Sequence, residues 1–248
     1  MTADEPTILA TSGGVAPSRR LRWEVGPLTD HAVELSGVTG RAPKVCFVPT
    51  AMGDSSDLLR SFYEAANARG FQPSHLSLFP MPNVDDMAEL LLGQDVIWVW
   101  GGSVAGLLAM WKLHGVDELM RRAWRAGVVL TGVSAGSICW HTGGTTDSFG
   151  PELRAVTNGL GLVPFSNGVH YDSEAQRRPL LHQLLVEHTL PPLAYATDDH
   201  VGIWYEGTEA TMVVGDREFD PDGPAAYRVE LVDGEVLETR VNVGSNFV

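Results

Sequence analysis

The chain has 248 residues, 44% of them hydrophobic, and a formal net charge of −14. That is enough apolar material for one large domain, read here as spanning 1–248. The acidity argues against nucleic acid and anionic membrane as partners, because both select basic surfaces.

Thr7-Ile8-Leu9-Ala10-Thr11 reads as a strand running into Ser12-Gly13-Gly14, and Lys44-Val45-Cys46-Phe47-Val48-Pro49 as a second. Asp54 or Ser55 is placed to cap a helix reaching Arg69, with Leu58, Leu59, Phe62, Ala65 and Ala66 on one face and Gly70 as its stop. A short strand near Leu76-Ser77-Leu78-Phe79 and a helix around 85–92 follow. Asp95-Val96-Ile97-Trp98-Val99-Trp100 is a continuous apolar run, as expected of a strand covered on both faces. Helices are expected over about 104–112 and 116–126, then a buried strand over 127–132. From about 207 onward the pattern becomes short strands: 210–214, 227–231 and 238–241. These read as an antiparallel extension at one edge. Strands alternating with helices before that point argue for a mostly parallel sheet with helices on both faces.

No apolar run approaches the roughly 18 residues of a membrane helix. The opening Met1-Thr2-Ala3-Asp4-Glu5 lacks the basic and apolar regions of a signal peptide, so the expected location is the cytoplasm. Cys46 and Cys139 sit in apolar contexts and read as buried thiols. No Cys/His cluster has zinc-ligand spacing, and no metal is expected. His114, His141, His182 and His188 are isolated along expected helices and read as structural or exposed.

In open α/β sheets, ligands bind at the carboxyl ends of the strands. Three loops leave such ends: Trp100-Gly101-Gly102-Ser103, the segment around Ser134, and Pro49-Thr50-Ala51-Met52-Gly53-Asp54. The segment Gly132-Val133-Ser134-Ala135-Gly136 fits two readings. Ser134 is either a nucleophile on a sharp strand-to-helix elbow or a turn serine that caps a helix. A nucleophilic serine needs a base, a group that orients the base, and donors for the oxyanion. The N–H of Ala135, at a helix start, and the N–H of Gly102 are candidate donors. His170 in Asn167-Gly168-Val169-His170-Tyr171-Asp172 is the first candidate base, with His200 as competitor. Asp147 is the first candidate acid, with Asp172, Asp198 and Asp199 as alternatives.

Three ordered blocks resemble the peptidase E family of serine peptidases, S51, which includes the cyanophycinases. Trp100-Gly101-Gly102-Ser103 stands where that family has a Gly-Gly-Gly-Asn stretch. Gly132-Val133-Ser134-Ala135-Gly136-Ser137 is similar to its Ser-Ala-Gly elbow, and Asn167-Gly168-Val169-His170 to the block with its catalytic histidine. The blocks span about 95 to 180, and the likeness extends over most of the chain. The resemblance implies Ser134 as nucleophile, His170 as base, Asp147 as acid, and Gly102 and Ala135 as oxyanion donors. It implies a flavodoxin-like three-layer α/β/α sandwich akin to class I glutamine amidotransferase domains, with serine in place of cysteine. No cofactor comes with it, and a homodimer is left open. The implied activity is hydrolysis of small peptides, of the dipeptidase E kind, through an acyl-enzyme. Preference for an N-terminal aspartate would require a basic group near the substrate; Arg177 and Arg178 are the candidates, beside Gly101 and Ser103 as further substrate contacts. Trp100 and Ser103 depart from the family's residues, and a tryptophan there would narrow the cleft or move the loop. Two other readings stay open. One is an α/β-hydrolase esterase using His200; the other is a non-catalytic binding protein on the same fold.

Overall fold

The structure, a computed structural model, describes residues 3, 5–216 and 220–247. Met1, Thr2 and Asp4 of the acidic opening stretch lie outside the described residues.

The first half of the chain alternates as its apolar runs require. β1 (Thr7–Thr11) leads through a small ribbon, β2 (Val15–Ala16) and β3 (Glu24–Val25), into α1 (Pro27–Leu35). β4 (Lys44–Val48), α2 (Ser56–Arg69), β5 (Gln72–His75), α3 (Met87–Leu92) and β6 (Val96–Val99) follow. Next come α4 (Val104–His114), α5 (Val116–Arg125), β7 (Val129–Val133) and the short α6 (Ala135–Ile138). Gly70 ends α2 in the left-handed conformation, as its position just past the last apolar residue predicts. Neither Asp54 nor Ser55 caps the start of α2 with its side chain. Ser55 is the cap residue without a side-chain bond, and Asp54 turns instead to the loop after β5, accepting N–H bonds from Leu78 and Phe79 at 2.5 and 2.9 Å.

A sheet of seven strands runs β13-β12-β1-β7-β6-β4-β5, where β12 is Val201–Glu206 and β13 is Glu209–Gly215. The pairs β1–β7, β7–β6, β6–β4 and β4–β5 are parallel, while β12 and β13 add antiparallel. Successive side chains of a strand point to opposite faces, and the central strands divide accordingly. Leu9, Val45, Phe47, Val96, Trp98 and Val129 pack under α1 and α2 with Ala32, Phe62 and Ala66. Ile8, Cys46, Val48, Ile97, Val99 and Leu130 pack on the opposite face with Leu107, Trp111, Met120 and Ile138. Burying apolar surface on both faces is what makes these strands read as unbroken apolar runs.

The late strands do not form one extension of this sheet. A second sheet of six strands has the order β15-β14-β11-β10-β8-β9. It comprises β8 (Gly143–Thr146), β9 (Arg154–Val156), β10 (Ser166–Gly168), β11 (Leu193–Thr197), β14 (Ala225–Val232) and β15 (Glu235–Asn242). So β12–β13 joins the first sheet and β14–β15 the second. Val156, Tyr195 and Ala226 carry the second sheet into the core cluster under α4 and α5. Its other side is closed by α7 (Arg177–Val186) through Leu181, Leu184 and Leu185 against Ala194, Ala196 and Val229.

His141 ties α6 to β12. Its Nδ1–H donates to Ser137 O at 2.9 Å, so its Nε2 accepts from the Tyr205 hydroxyl at 3.1 Å. Full burial pushes the His141 pKa down to about 4, against the opposing bond to Ser137, so the ring is neutral and structural. Burial pushes the Cys46 thiol up to about 12 and Cys139 well above its ordinary value; both are inert core residues. No helix among the described residues is long and apolar enough to cross a membrane.

Candidate active site

The ends of β1, β6, β7, β10 and β11 converge on one place, and Ser134 stands at its centre. Ser134 follows β7 and precedes α6 with φ 57° and ψ −114°, a backbone state that side chains other than glycine avoid. The neighbouring glycines are needed by contact. A Cβ on Gly132 would lie 2.3 Å from Gly136 O, and one on Gly136 would lie 2.2 Å from Val99 O. The chain thus turns sharply against β6, and the turn holds Ser134 out, half-buried.

Two backbone donors border it. Ala135 is the first residue of α6, so its N–H has no partner within the helix. Gly102 adopts φ 129°, and a Cβ there would stand 2.5 Å from Ala51 O. Neither N–H donates a hydrogen bond among the described residues. Gly101 faces the serine: a Cβ on it would meet Ser134 Cβ at 3.1 Å. The hydroxyl of Ser103 is already engaged, accepting the Gly106 N–H at 3.0 Å as the cap of α4. This cap leaves its O–H as the one group it can still offer a substrate.

His170 follows β10 in the left-handed region at φ 52°. Its Nδ1 is 2.5 Å from Asp199 Oδ1. Asp199 follows β11, and its own N–H is fixed by Asp172 Oδ1 at 2.9 Å. Burial pushes the Asp199 carboxyl up. Hydrogen bonds from His170 and Ser173, with the nearby His170 and His200 rings, outweigh this and hold it below the ordinary carboxylate value. The expected partner, Asp147, is elsewhere. It is exposed at the start of a turn after β8, its carbonyl accepting the Gly150 N–H at 3.0 Å. The structure therefore pairs His170 with Asp199 and not with Asp147, because β10 and β11 are adjacent parallel strands whose ends lie side by side. Asp198, the next candidate, points away and accepts from Ala225 N–H and the Tyr227 hydroxyl at 3.0 and 3.1 Å.

Ser12, which in the sequence marks only the end of the first strand, joins the two halves. Ser134 N–H donates to Thr11 O at 3.1 Å, and His170 N–H donates to Ser12 Oγ at 3.1 Å. The serine and the histidine thus hang from two consecutive residues at the end of β1. Ser12 Oγ also meets Thr197 Oγ1 at 2.7 Å, which anchors the end of β11. Among the described residues the Ser134 hydroxyl takes no hydrogen-bond partner within the protein.

The remaining candidates are accounted for. His200 is bound through Nδ1 to Asp216 Oδ2 at 3.1 Å, and Asp216 in turn accepts the Leu28 N–H at the start of α1. Arg177 is buried, bonded to Glu174 at 2.7 Å and to Thr145 O. Arg178 pairs with Glu238 at 2.5 Å and lies 4.4 and 4.7 Å over the rings of Tyr171 and Tyr227. Both arginines hold α7 to the second sheet, so neither serves as the free basic group that an aspartate would need. Trp100 does not narrow the cleft. It stacks on Trp23 at 5.4 Å and continues the stripe of Trp98 on the α1–α2 face. Among the described residues no group of three or more His, Cys, Asp or Glu side chains is arranged to hold a metal ion.

Comparison with known proteins gives a consistent picture. The model of peptidase family S51 matches residues 24–213. A Bacillus subtilis (strain 168) protein named uncharacterized peptidase YgaJ is 41% identical over 196 residues, covering 79% of this chain and 82% of the relative. The crystal structure of a peptidase from an acI-B1 Actinobacterium superposes with a TM-score of 0.66 at 17% identity, over 98% of this chain and 96% of that one. A putative peptidase E protein from Listeria monocytogenes EGD-e gives 0.55 at 18% identity, over 95% and 98%. At such identities the two structures speak for the fold alone.

Proposed function

The chain belongs to peptidase family S51, and from that premise we propose that it is a serine peptidase cleaving small peptides through an acyl-enzyme on Ser134. The observation that carries the reading is the joint suspension of Ser134 and His170 from Thr11 and Ser12, with Asp199 behind the histidine.

In this reading Asp199 fixes the tautomer. With Nδ1–H directed at Asp199, the free Nε2 is the basic nitrogen left to take the serine proton. As the peptide binds, Ser134 Oγ closes on Nε2, since such contacts tighten only with substrate in place. Ser134 attacks the scissile carbonyl carbon and passes its proton to His170. The oxyanion is received by the N–H groups of Gly102 and Ala135, a contribution of about 3 kcal/mol for each such donor. His170 protonates the leaving amine, then activates the water that releases the acyl group. Asp199 stays ionised throughout and stabilises the imidazolium.

Ser134→Ala tests the assignment. Turnover across a dipeptide panel should fall by several orders of magnitude, and a fluorophosphonate probe that labels the wild type at Ser134 should not label the variant. Undiminished turnover, or wild-type labelling at another serine alone, would remove Ser134 from the mechanism.

A further inference from the structure

The exposed apolar side chains are unevenly placed. Of the eight large hydrophobic residues exposed among the described residues, four are Met52, Phe79, Met81 and Phe149, each between 47% and 69% exposed. Met52 stands against the segment that carries Gly102, and the other three stand on turns tied to its two flanks. Met52 belongs to the turn after β4, and its Sδ would lie 3.0 Å from a Cβ on Gly102. Asp54, two residues on, accepts the N–H groups of Leu78 and Phe79 and so draws the Phe79–Met81 loop to the same turn. On the other flank, Ser148 Oγ accepts the Ala105 N–H at 3.3 Å and sets the turn bearing Phe149 beside the start of α4. Exposed apolar side chains gathered at a reactive centre mark a binding surface, whereas scattered ones do not.

The charges around His170 point the same way. Asp199 meets His170 and Asp172 braces Asp199, and Arg177 and Arg178 are occupied elsewhere. An anionic side chain on the substrate would meet these carboxylates, while Arg177 and Arg178 are already paired. An apolar one would find Met52, whose unbranched thioether adapts to varied shapes.

We infer that Met52 is a specificity-determining residue, and that the site takes peptides with a large apolar residue next to the scissile bond in place of aspartyl peptides. The inference rests on the peptidase reading above for the location of the site.

Affinity measured without turnover tests it. The full-length Ser134→Ala protein is titrated by calorimetry with Ala-Ala, Ala-Phe, Phe-Ala, Ala-Asp and Asp-Ala. One of the two Phe dipeptides should bind about tenfold or more tighter than Ala-Ala, the scale of discrimination an apolar pocket provides. Neither Asp dipeptide should gain. Adding Met52→Gln should reduce the Phe gain to within about threefold, and Met52→Leu should keep it. Because Met52 is half exposed, both variants should fold, as thermal melting will show. A preference for Asp, no Phe gain, or a gain that Met52→Gln leaves intact overturns the inference. Failure of the peptidase reading is seen separately, in the labelling of wild-type Ser134.

Discussion

Replacing Asp199 by asparagine separates the observed His170 partner from the expected one. The carboxylate accepts from Nδ1 at 2.5 Å and is braced from behind by the Asp172 bond to its own N–H. Asparagine fits the same space, but its amide offers N–H as readily as C=O. It can stabilise the tautomer with the proton on Nε2, which cannot accept from Ser134. An imidazolium beside a neutral amide also loses its counter-charge. In serine triads this change costs about 10⁴-fold in kcat, or ~5.5 kcal/mol of barrier. Asp147→Asn should change kcat by less than about twofold, since the side chain is exposed and surface changes away from a site act weakly. The assay is kcat and KM on a dipeptide panel, paired with the second-order rate of fluorophosphonate labelling, which needs no known substrate. Asp199 is held below the ordinary carboxylate value. Its protonation should therefore enter the pH–rate profile only below the range of a free carboxylate, and Asp199→Asn should remove that limb. Full activity in Asp199→Asn, or a comparable collapse in Asp147→Asn, would refute the pairing as a catalytic one.

Three further outcomes follow from the geometry. Ser12→Ala removes the acceptor of the His170 N–H and the partner of Thr197. It should lower kcat by about 10- to 100-fold with KM within threefold, beside ~1–3 kcal/mol of stability. Stability loss with kcat intact would make Ser12 a purely structural clasp. Gly136→Ala forces a Cβ to 2.2 Å from Val99 O and should cost about 3 kcal/mol in urea unfolding, the upper range for overpacking; an unchanged midpoint would contradict the tight elbow. His141, with its pKa moved from 6.5 to about 4 by burial, is neutral when folded and binds a proton more readily when unfolded. Its contribution is complete above pH 6.5 and is lost as pH falls toward 4. There it should reach about 3 kcal/mol of lost stability. His141→Gln should flatten that part of the stability profile, and an identical profile would rule the residue out as its source.

Strands that bury both faces were legible because their composition is their environment. β1, β4, β6 and β7 lie within a residue or two of their apolar runs. β5 was misplaced for the same reason. The apolar Leu76 and Leu78 sit in the core without being strand, while the paired residues are Gln72-Pro73-Ser74-His75 at a sheet edge, where proline is tolerated and burial is partial. Two inner strands of the second sheet, β8 and β10, gave no signal, since Gly143-Gly144-Thr145-Thr146 and Ser166-Asn167-Gly168 have no apolar period. Their glycines answer to close approach: a Cβ on Gly143 would lie 2.0 Å from Val156 O, and one on Gly144 would lie 2.2 Å from Asn167 O. At the site, Ser134, Gly102, Ala135 and His170 stand out from local pattern and resemblance. Asp199 stayed one of four carboxylates, because strand adjacency chooses among them and adjacency is a property of the sheet. Position narrows the choice only to Asp198 and Asp199, the pair that follows the apolar run Leu193–Thr197.

The assembly of the site across two sheets explains why Ser12 matters more than its small side chain suggests. Ser134 is held by the first sheet, His170 and Asp199 by the second, and their distance depends on how the sheets dock. Ser12 is one direct clasp. The other is Asn167, which accepts the Ser137 hydroxyl at 2.9 Å and donates to Tyr195 O at 3.2 Å. It links the elbow helix to β10 and β11. A one-residue slip of a strand turns every side chain to the opposite face, so β10 in any other register would turn Asn167 from Ser137 and move His170 from Ser12. The polar clasps therefore fix the register that the glycine-rich strands cannot fix by apolar packing. Their buried hydrogen bonds select one docking of the sheets, the one that ties Ser134 and His170 to consecutive residues at the end of β1.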